Sequence, residues 1–272
     1  METNLFEVRG KTIIVTGGAG VLGGAMATHL LSQGANVAIL GRSQNSLDAA
    51  LEQMSRVGDQ VIGVPCDVLK QESVENARDQ VLARFGSIDG LINAAGGNMP
   101  GATIAPDQTF FDLKMEDFRK VAELNLDGTV IPCMVFGKVM ADQGSGSIIN
   151  ISSMAATQAI TRVVGYSSSK AAIDNFTKWL ATEFALKFEG KIRVNAIAPG
   201  FFIGNQNRRL LLNEDGSLTD RGSTIIRNTP MQRFGEADEL NGAAQYLLSD
   251  ASSFVTGIVV PIDGGFSAFS GV

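Results

Sequence analysis

Short apolar runs rich in β-branched residues alternate with longer stretches of helical periodicity along nearly all of this 272-residue chain, and few folds accommodate that order. The runs are Lys11 to Thr16, Asn36 to Leu40, Gln60 to Pro65, Ile88 to Asn93, Ser147 to Ser152, Lys191 to Ala198 and Gly257 to Ile262. Most are apolar throughout, as strands covered on both faces are. Between them the spacing predicts helices near Leu22 to Gln33, Gln44 to Val57, Glu72 to Phe85, Met115 to Ala141, Tyr166 to Phe188 and Glu236 to Leu248. Strands that alternate with helices must run parallel and be joined by right-handed crossovers. The expectation is therefore an α/β fold, a doubly wound (Rossmann) parallel sheet of seven strands with helices on both faces. One domain spanning 1–272 suffices, and a hydrophobic content of 44% is ample for its core.

Two connections, Gly96 to Lys114 and Pro199 to Gly235, are too long for simple turns. Loops longer than about 12 to 15 residues usually bind or cover something. Both follow the carboxyl ends of strands, where open α/β sheets bind ligands, so a substrate lid is expected at about 200–235.

Charge narrows the partners. The net charge is −6 and there is no Lys/Arg-rich run, which argues against nucleic acid and anionic membranes and for a small-molecule substrate. Residues 1–11 lack the basic-then-apolar order of a signal peptide. No apolar run approaches the ~18 residues of a membrane span, so a soluble, cytoplasmic location is expected. Cys66 and Cys133 sit among apolar residues and read as buried thiols. The one histidine, His29, lies in an apolar helical stretch, and no metal site is expected.

The first strand leads into Thr16-Gly17-Gly18-Ala19-Gly20-Val21-Leu22-Gly23 and then a helix. Read from Gly18, this is G-x-G-x-x-G, a turn that lets amide groups and the positive end of a helix meet a pyrophosphate. An acidic residue at the end of the second strand would accept from a ribose 2′-hydroxyl, as in NAD sites. Here that strand ends Leu40-Gly41-Arg42-Ser43, with no carboxylate before Asp48. Arg42 and Ser43 suit a 2′-phosphate, so NADP(H) is preferred and NAD(H) stays open; Arg42 could instead be a solvated loop residue. After the third strand, Asp67 and Val68 lie where adenine would sit, although Asp67 could equally cap the next helix. Asn93-Ala94-Ala95-Gly96 supplies small residues for close approach of the cofactor.

Tyr166 and Lys170 are four residues apart, on one face of a helix. A phenol is a poor base at neutral pH, but a neighbouring ammonium and a positive nicotinamide ring would bring its pKa down toward the working range. Ser152 and Ser153 end the strand beside which a substrate would sit. Asn125, polar within an apolar helical pattern, either organises a buried network or bends the helix.

Taken together, the Gly17 to Gly23 turn, Asp67, Asn93 to Gly96, Asn125, Ser153, Tyr166 with Lys170, Pro199-Gly200 and Asp263-Gly264-Gly265 resemble the short-chain dehydrogenase/reductase family over essentially the whole chain. The resemblance implies that Tyr166 is the general acid/base, that Ser153 binds the reacting oxygen, and that Lys170 holds the nicotinamide ribose. It also implies that Asn125 holds a relay water, that Pro199 and Gly200 line the nicotinamide pocket, and that the chain assembles as a homodimer or homotetramer. The family usually has Gly where this chain has Val21, which puts the shape of the turn in question.

After Gly200 the chain reads Phe201-Phe202-Ile203-Gly204-Asn205-Gln206-Asn207-Arg208-Arg209. Amides and guanidinium groups there suit a polyhydroxylated, carboxylate-bearing substrate, or simply a solvated helix start. Asn98, Arg162, Asn205 and Arg208 are the substrate candidates, with Ser153. These loops are similar to those of a D-mannonate oxidoreductase (fructuronate reductase) branch, which in turn is similar to gluconate 5-dehydrogenases. A 3-oxoacyl carrier-protein reductase shares the catalytic residues, and a non-catalytic cofactor-binding sensor shares the fold.

Overall fold

Each of the seven apolar runs forms a strand in the computed structural model, which describes residues 4–204 and 207–271. In chain order these are β1 (Thr12–Thr16), β2 (Asn36–Gly41), β3 (Val61–Pro65), β4 (Gly90–Asn93), β5 (Gly146–Ile151), β6 (Ile192–Pro199) and β7 (Val259–Ile262). All pair in parallel, in the order β3-β2-β1-β4-β5-β6-β7. The pleat sends successive side chains to opposite faces. Ile13, Val15, Val37 and Ile39 pack with Met26, Leu30 and Leu247 on one side. Ile14, Ala38, Leu91 and Ile148 pack with Val74 and Phe136 on the other. Burial of both faces is what makes the strand sequences apolar without alternation.

The flanking helices are α1 (Val21–Ser32), α2 (Gln44–Met54), α3 (Gln71–Phe85), α4 (Met115–Ala122), α5 (Gly128–Gln143), α6 (Val164–Lys187), α7 (Arg208–Leu211), α8 (Asp220–Arg227) and α9 (Asn241–Leu248). Three expectations need correction. The helix expected over Met115 to Ala141 is broken by a π turn at Glu123–Asp127. The one expected from Glu236 opens as a 3-10 turn, Ala237–Leu240. The long connection after Pro199 is not bare loop, because it holds α7 and α8.

The stretch 115–143 is apolar enough by length and composition to cross a membrane, but half of its most apolar window is buried, as in a core helix. Trp179 on α6 is 60% exposed, and Met134 on α5 is 59% exposed. Both cysteines are buried and unpaired. Burial pushes the Cys133 thiol up to about 12, against a hydrogen bond from Asn93. His29 pairs with Gln245 Oε1 at 2.8 Å, and among the described residues no cluster of His, Cys, Asp and Glu could hold a metal.

From β1 the chain winds outward through β2 and β3 and then returns to lay β4 on the other side of β1. Connections diverge at that switch point, opening a crevice at the carboxyl ends of the strands.

Candidate active site

The turn after β1 is dictated by backbone approach. Gly17 has φ 66, and a Cβ there would sit 2.9 Å from Ala94 O and Ala95 N. A Cβ on Gly23 would sit 2.6 Å from Gly17 O, where only backbone could give way. Thr16 Oγ1 ties the neighbouring loop to this turn by accepting from Ala94 N and Ala95 N, each at 3.1 Å. Gly20 precedes α1 in extended conformation, with no side-chain cap. The first amides of α1 therefore keep their donors for whatever enters the cleft. Val21 is not among the residues of positive φ. It begins α1 with its side chain 40% exposed, so the turn closes without the family's usual glycine.

This turn forms one wall of a cleft of about 340 Å³, with Gly17, Gly20 to Gly23, Ala94 and Gly96. Tyr166, Lys170, Pro199 and Gly200 form the other. A turn packed too closely at Gly17 and Gly23 to admit a Cβ, beneath unpartnered helix amides, fits the diphosphate of a dinucleotide.

Other residues assigned to the cofactor from sequence do not line this cleft. Gly18 backs onto Ile39, whose Cγ2 would be 2.6 Å from an added Cβ. Asn93 is buried in the core, donating to Asn150 Oδ1 at 2.9 Å. Ser43 caps α2, accepting from Ser46 N at 3.3 Å. Val68 is buried, with its Cγ2 3.1 Å from the position a Cβ on Gly128 would take. Asp67 Oδ1 accepts from Leu69 N at 3.2 Å, closing a turn before α3 instead of capping it, since the helix starts after Lys70. Ala95 does not line the cleft. Arg42 projects, exposed, from the end of β2.

The reacting groups stand where this cleft meets a second cavity of about 570 Å³, and Ser153 and Tyr166 line both. Ser153 follows β5, and its Oγ accepts from Ala155 N at 3.2 Å. Tyr166 lies in the first turn of α6 and Lys170 one turn further on. Lys170 is buried, and its Nζ donates to Ile151 O at 2.6 Å while standing 5.5 Å from the centroid of the Tyr166 ring. Burial lowers the Lys170 pKa from 10.5 to about 8, with the charge of Asp174 opposing.

Burial also pushes the Tyr166 phenol up, and a hydrogen bond with Ser153 counters that rise. The sequence reading gave this counterweight to Lys170. In the structure one of the three ammonium donors goes to the Ile151 carbonyl, and the group that counters the rise at the phenol is the serine. A phenol kept protonated in this way is set to donate to a developing alkoxide.

Asn125 does both things open to it. Its Nδ2 donates to Gly97 O at 2.7 Å and Val121 O at 2.8 Å, and its Oδ1 accepts from Gly97 N at 3.1 Å. Inserting that amide between Val121 and the following turn widens the helix into the π turn. Thr129 Oγ1 donates to the Asn125 carbonyl at 2.8 Å.

Asp174 escaped notice in the sequence, where its one signal is an acid four residues beyond Lys170 in an apolar stretch. It is 8% exposed and accepts a hydrogen bond from Ser152 Oγ. Burial raises its pKa, which the Ser152 bond and the charges of Lys178 and Lys170 oppose.

The larger cavity is lined by Asn98, Ser153 and Arg162 from the sequence-based set. Arg208 does not reach it, whereas its neighbours Asn207 and Arg209 do. Asn205 lies outside the described residues. Arg221 on α8 also lines the cavity, and nothing local in the sequence marks it.

Residues 17–267 match a family model described as Enoyl-(Acyl carrier protein) reductase. The chain is 45% identical over 275 residues to an uncharacterized oxidoreductase, UxuB, of Bacillus subtilis (strain 168), covering 98% of each. A crystal structure from Haemophilus influenza with bound NAD, provisionally described as a D-mannonate oxidoreductase, superposes with a TM-score of 0.90 at 43% identity, covering 98% of both chains. A 2-dehydro-3-deoxy-D-gluconate 5-dehydrogenase of Formosa agariphila is 34% identical over 272 residues, covering 100% of this chain and 98% of the relative.

Proposed function

The chain belongs to the short-chain dehydrogenase/reductase family, and from that premise we propose that this NAD(P)-dependent oxidoreductase acts on a sugar acid of the D-mannonate/D-fructuronate type. The observation that carries the reading is the placement of Ser153 and Tyr166 at the junction between a glycine-walled cleft and a larger cavity into whose wall Arg162, Arg209 and Arg221 are set. When bound, a nicotinamide supplies or accepts the hydride. Tyr166 donates its proton to the substrate oxygen in reduction and takes it back in oxidation. Ser153 holds that oxygen by a hydrogen bond. Lys170 would hold the ribose hydroxyls of the cofactor, and its ammonium, 5.5 Å from the Tyr166 ring centroid, keeps a positive charge near the phenol. Asn125 has its side-chain hydrogen bonds committed to Gly97 and Val121, so the relay water falls to its main-chain carbonyl, which also accepts from Thr129 Oγ1.

Support for a sugar acid comes from the 2-dehydro-3-deoxy-D-gluconate 5-dehydrogenase among its relatives and from a cavity wall with three arginines and, among the described residues, no carboxylate. Residues 200–235 serve as its lid. NADP(H) is placed ahead of NAD(H) because Arg42 stands at the end of β2, where an acid would select NAD, although the Haemophilus structure holds NAD. The exposed apolar faces of α5 and α6, with Met134 and Trp179, suit packing against a second copy in a homodimer or homotetramer. A cytoplasmic location fits a thiol pair left unpaired.

The family model's description names reduction of an enoyl group on a carrier protein, and the competing reading is reduction of a carrier-bound thioester at its enoyl or its 3-oxo group. Fructuronate, tagaturonate, 5-ketogluconate, crotonyl thioesters and acetoacetyl thioesters, each assayed with NADPH and NADH, separate the two. Turnover of the uronates or ketogluconate is expected, and activity confined to thioesters overturns the proposal. Arg42→Asp should shift the NADPH to NADH preference by about tenfold or more, as expected when a 2′-phosphate loses its guanidinium.

A further inference from the structure

Two sheltered guanidinium groups meet in the wall of the larger cavity with no acidic partner among the described residues. Arg162 lies just before α6 and Arg221 on α8, and the fold brings them together. Arg221 reaches across to the residue before Arg162, donating from Nη1 to Thr161 Oγ1 at 3.3 Å and from Nη2 to Thr161 O at 3.5 Å. Burial lowers the Arg221 pKa, and the charge of Arg162 lowers it further. In a protein of net charge −6, like charges drawn together away from water carry a cost that an anion between them would relieve.

Arg162 is also held in an unusual backbone state. Its φ is 79, a region that non-glycine residues rarely occupy and that tends to mark functional positions. Two bonds to Ile104 fix it there, Nε to Ile104 O at 2.9 Å and Ile104 N to Arg162 O at 3.0 Å. That arrangement uses Nε and leaves the Nη groups for another acceptor.

Asn98 lines the same cavity. Thr103 Oγ1 donates its single proton to Met99 O at 3.1 Å, so toward Asn98 it can only accept, and it does so from Nδ2 at 2.8 Å. The orientation of the amide is thereby fixed, and Asn98 Oδ1 is left buried without a donor. A hydroxyl is the partner such an acceptor calls for.

We propose that Arg162 and Arg221 clamp the substrate carboxylate while Asn98 Oδ1 accepts from one of its hydroxyls, so that the cavity selects a hydroxylated carboxylate over a neutral polyol of the same length. This rests on the oxidoreductase reading above. The test is the ratio of kcat/KM for D-mannonate and D-gluconate to that for D-mannitol and D-sorbitol, in the wild type, Arg221→Gln and Arg162→Asn. Asn tolerates the backbone conformation of residue 162, and binding of D-gluconate by calorimetry to the Tyr166→Phe protein with NADPH gives a second readout. Each substitution should lower the acid-to-polyol ratio by about tenfold or more, the worth of a charge-assisted hydrogen bond, and should weaken gluconate binding. A wild type that prefers the polyols overturns the clamp. Acids turned over with an unchanged ratio in both variants overturn it too, while leaving the oxidoreductase reading intact. Turnover of acyl thioesters alone overturns both.

Discussion

Replacing Lys170 by Met tests whether the active site maintains a charge against the interest of the fold. The ammonium is buried, and its pKa falls from 10.5 to about 8. At about 1.4 kcal/mol per pH unit, that gap corresponds to roughly 3 kcal/mol of lost stability. Below about pH 8 the lysine is charged in both folded and unfolded chains, and the whole cost is present. Between about pH 8 and 10.5 the folded chain has released the proton while the unfolded chain still binds it, so the cost shrinks as pH rises. The methionine variant has no such dependence. It does lose the 2.6 Å bond to Ile151 O, a pH-independent cost of about 1.5 to 3 kcal/mol. At pH 7 the two effects nearly cancel, and the variant should be about as stable as the wild type while losing activity. The stability of the wild type relative to the variant should then rise by about 2 kcal/mol between pH 7 and 9.5. Urea unfolding of both proteins at the two pH values measures it. A stability difference that is the same at both refutes the reasoning.

Two further perturbations probe the framework around the chemistry. In Gly23→Ala the new Cβ meets Gly17 O at 2.6 Å, and the strain of about 1–3 kcal/mol should weaken NADPH binding tenfold or more in a fluorescence titration; an unaltered Kd contradicts the role given to the turn. Asn125→Ala strips Gly97 of its hydrogen-bond partners, which should cost about 1–3 kcal/mol in unfolding free energy and speed amide exchange at Gly97. Exchange at the wild-type rate contradicts the account of the π turn.

The strands were legible because their two-sided burial writes itself into unbroken apolar runs, as in Ile13-Ile14-Val15 and Ile148-Ile149. Tyr166 and Lys170 were legible because one helical turn fixes their spacing. What sequence leaves open is decided by partners distant along the chain. Asn125 stands out as polar, but the π turn depends on Gly97, which the fold brings from 28 residues away. Asn93 and Ser43 have the chemistry of cofactor ligands, yet one is taken up by Asn150 in the core and the other by the first turn of α2. Arg221 meets Arg162 only because α8 folds back over the cavity. The direction of the Tyr166 shift needed its burial, which spacing does not contain.

Catalysis turns on the Tyr166 hydroxyl as the proton donor and acceptor, and Tyr166→Phe removes that one oxygen. Steady-state turnover on whichever ketosugar acid proves active, measured beside NADPH affinity, gives the decisive comparison. Turnover should fall by about 10²- to 10⁴-fold, the usual worth of a positioned acid, with cofactor Kd changed by less than about threefold, well under 1 kcal/mol. A variant that keeps more than a tenth of the wild-type turnover while binding NADPH normally contradicts that role.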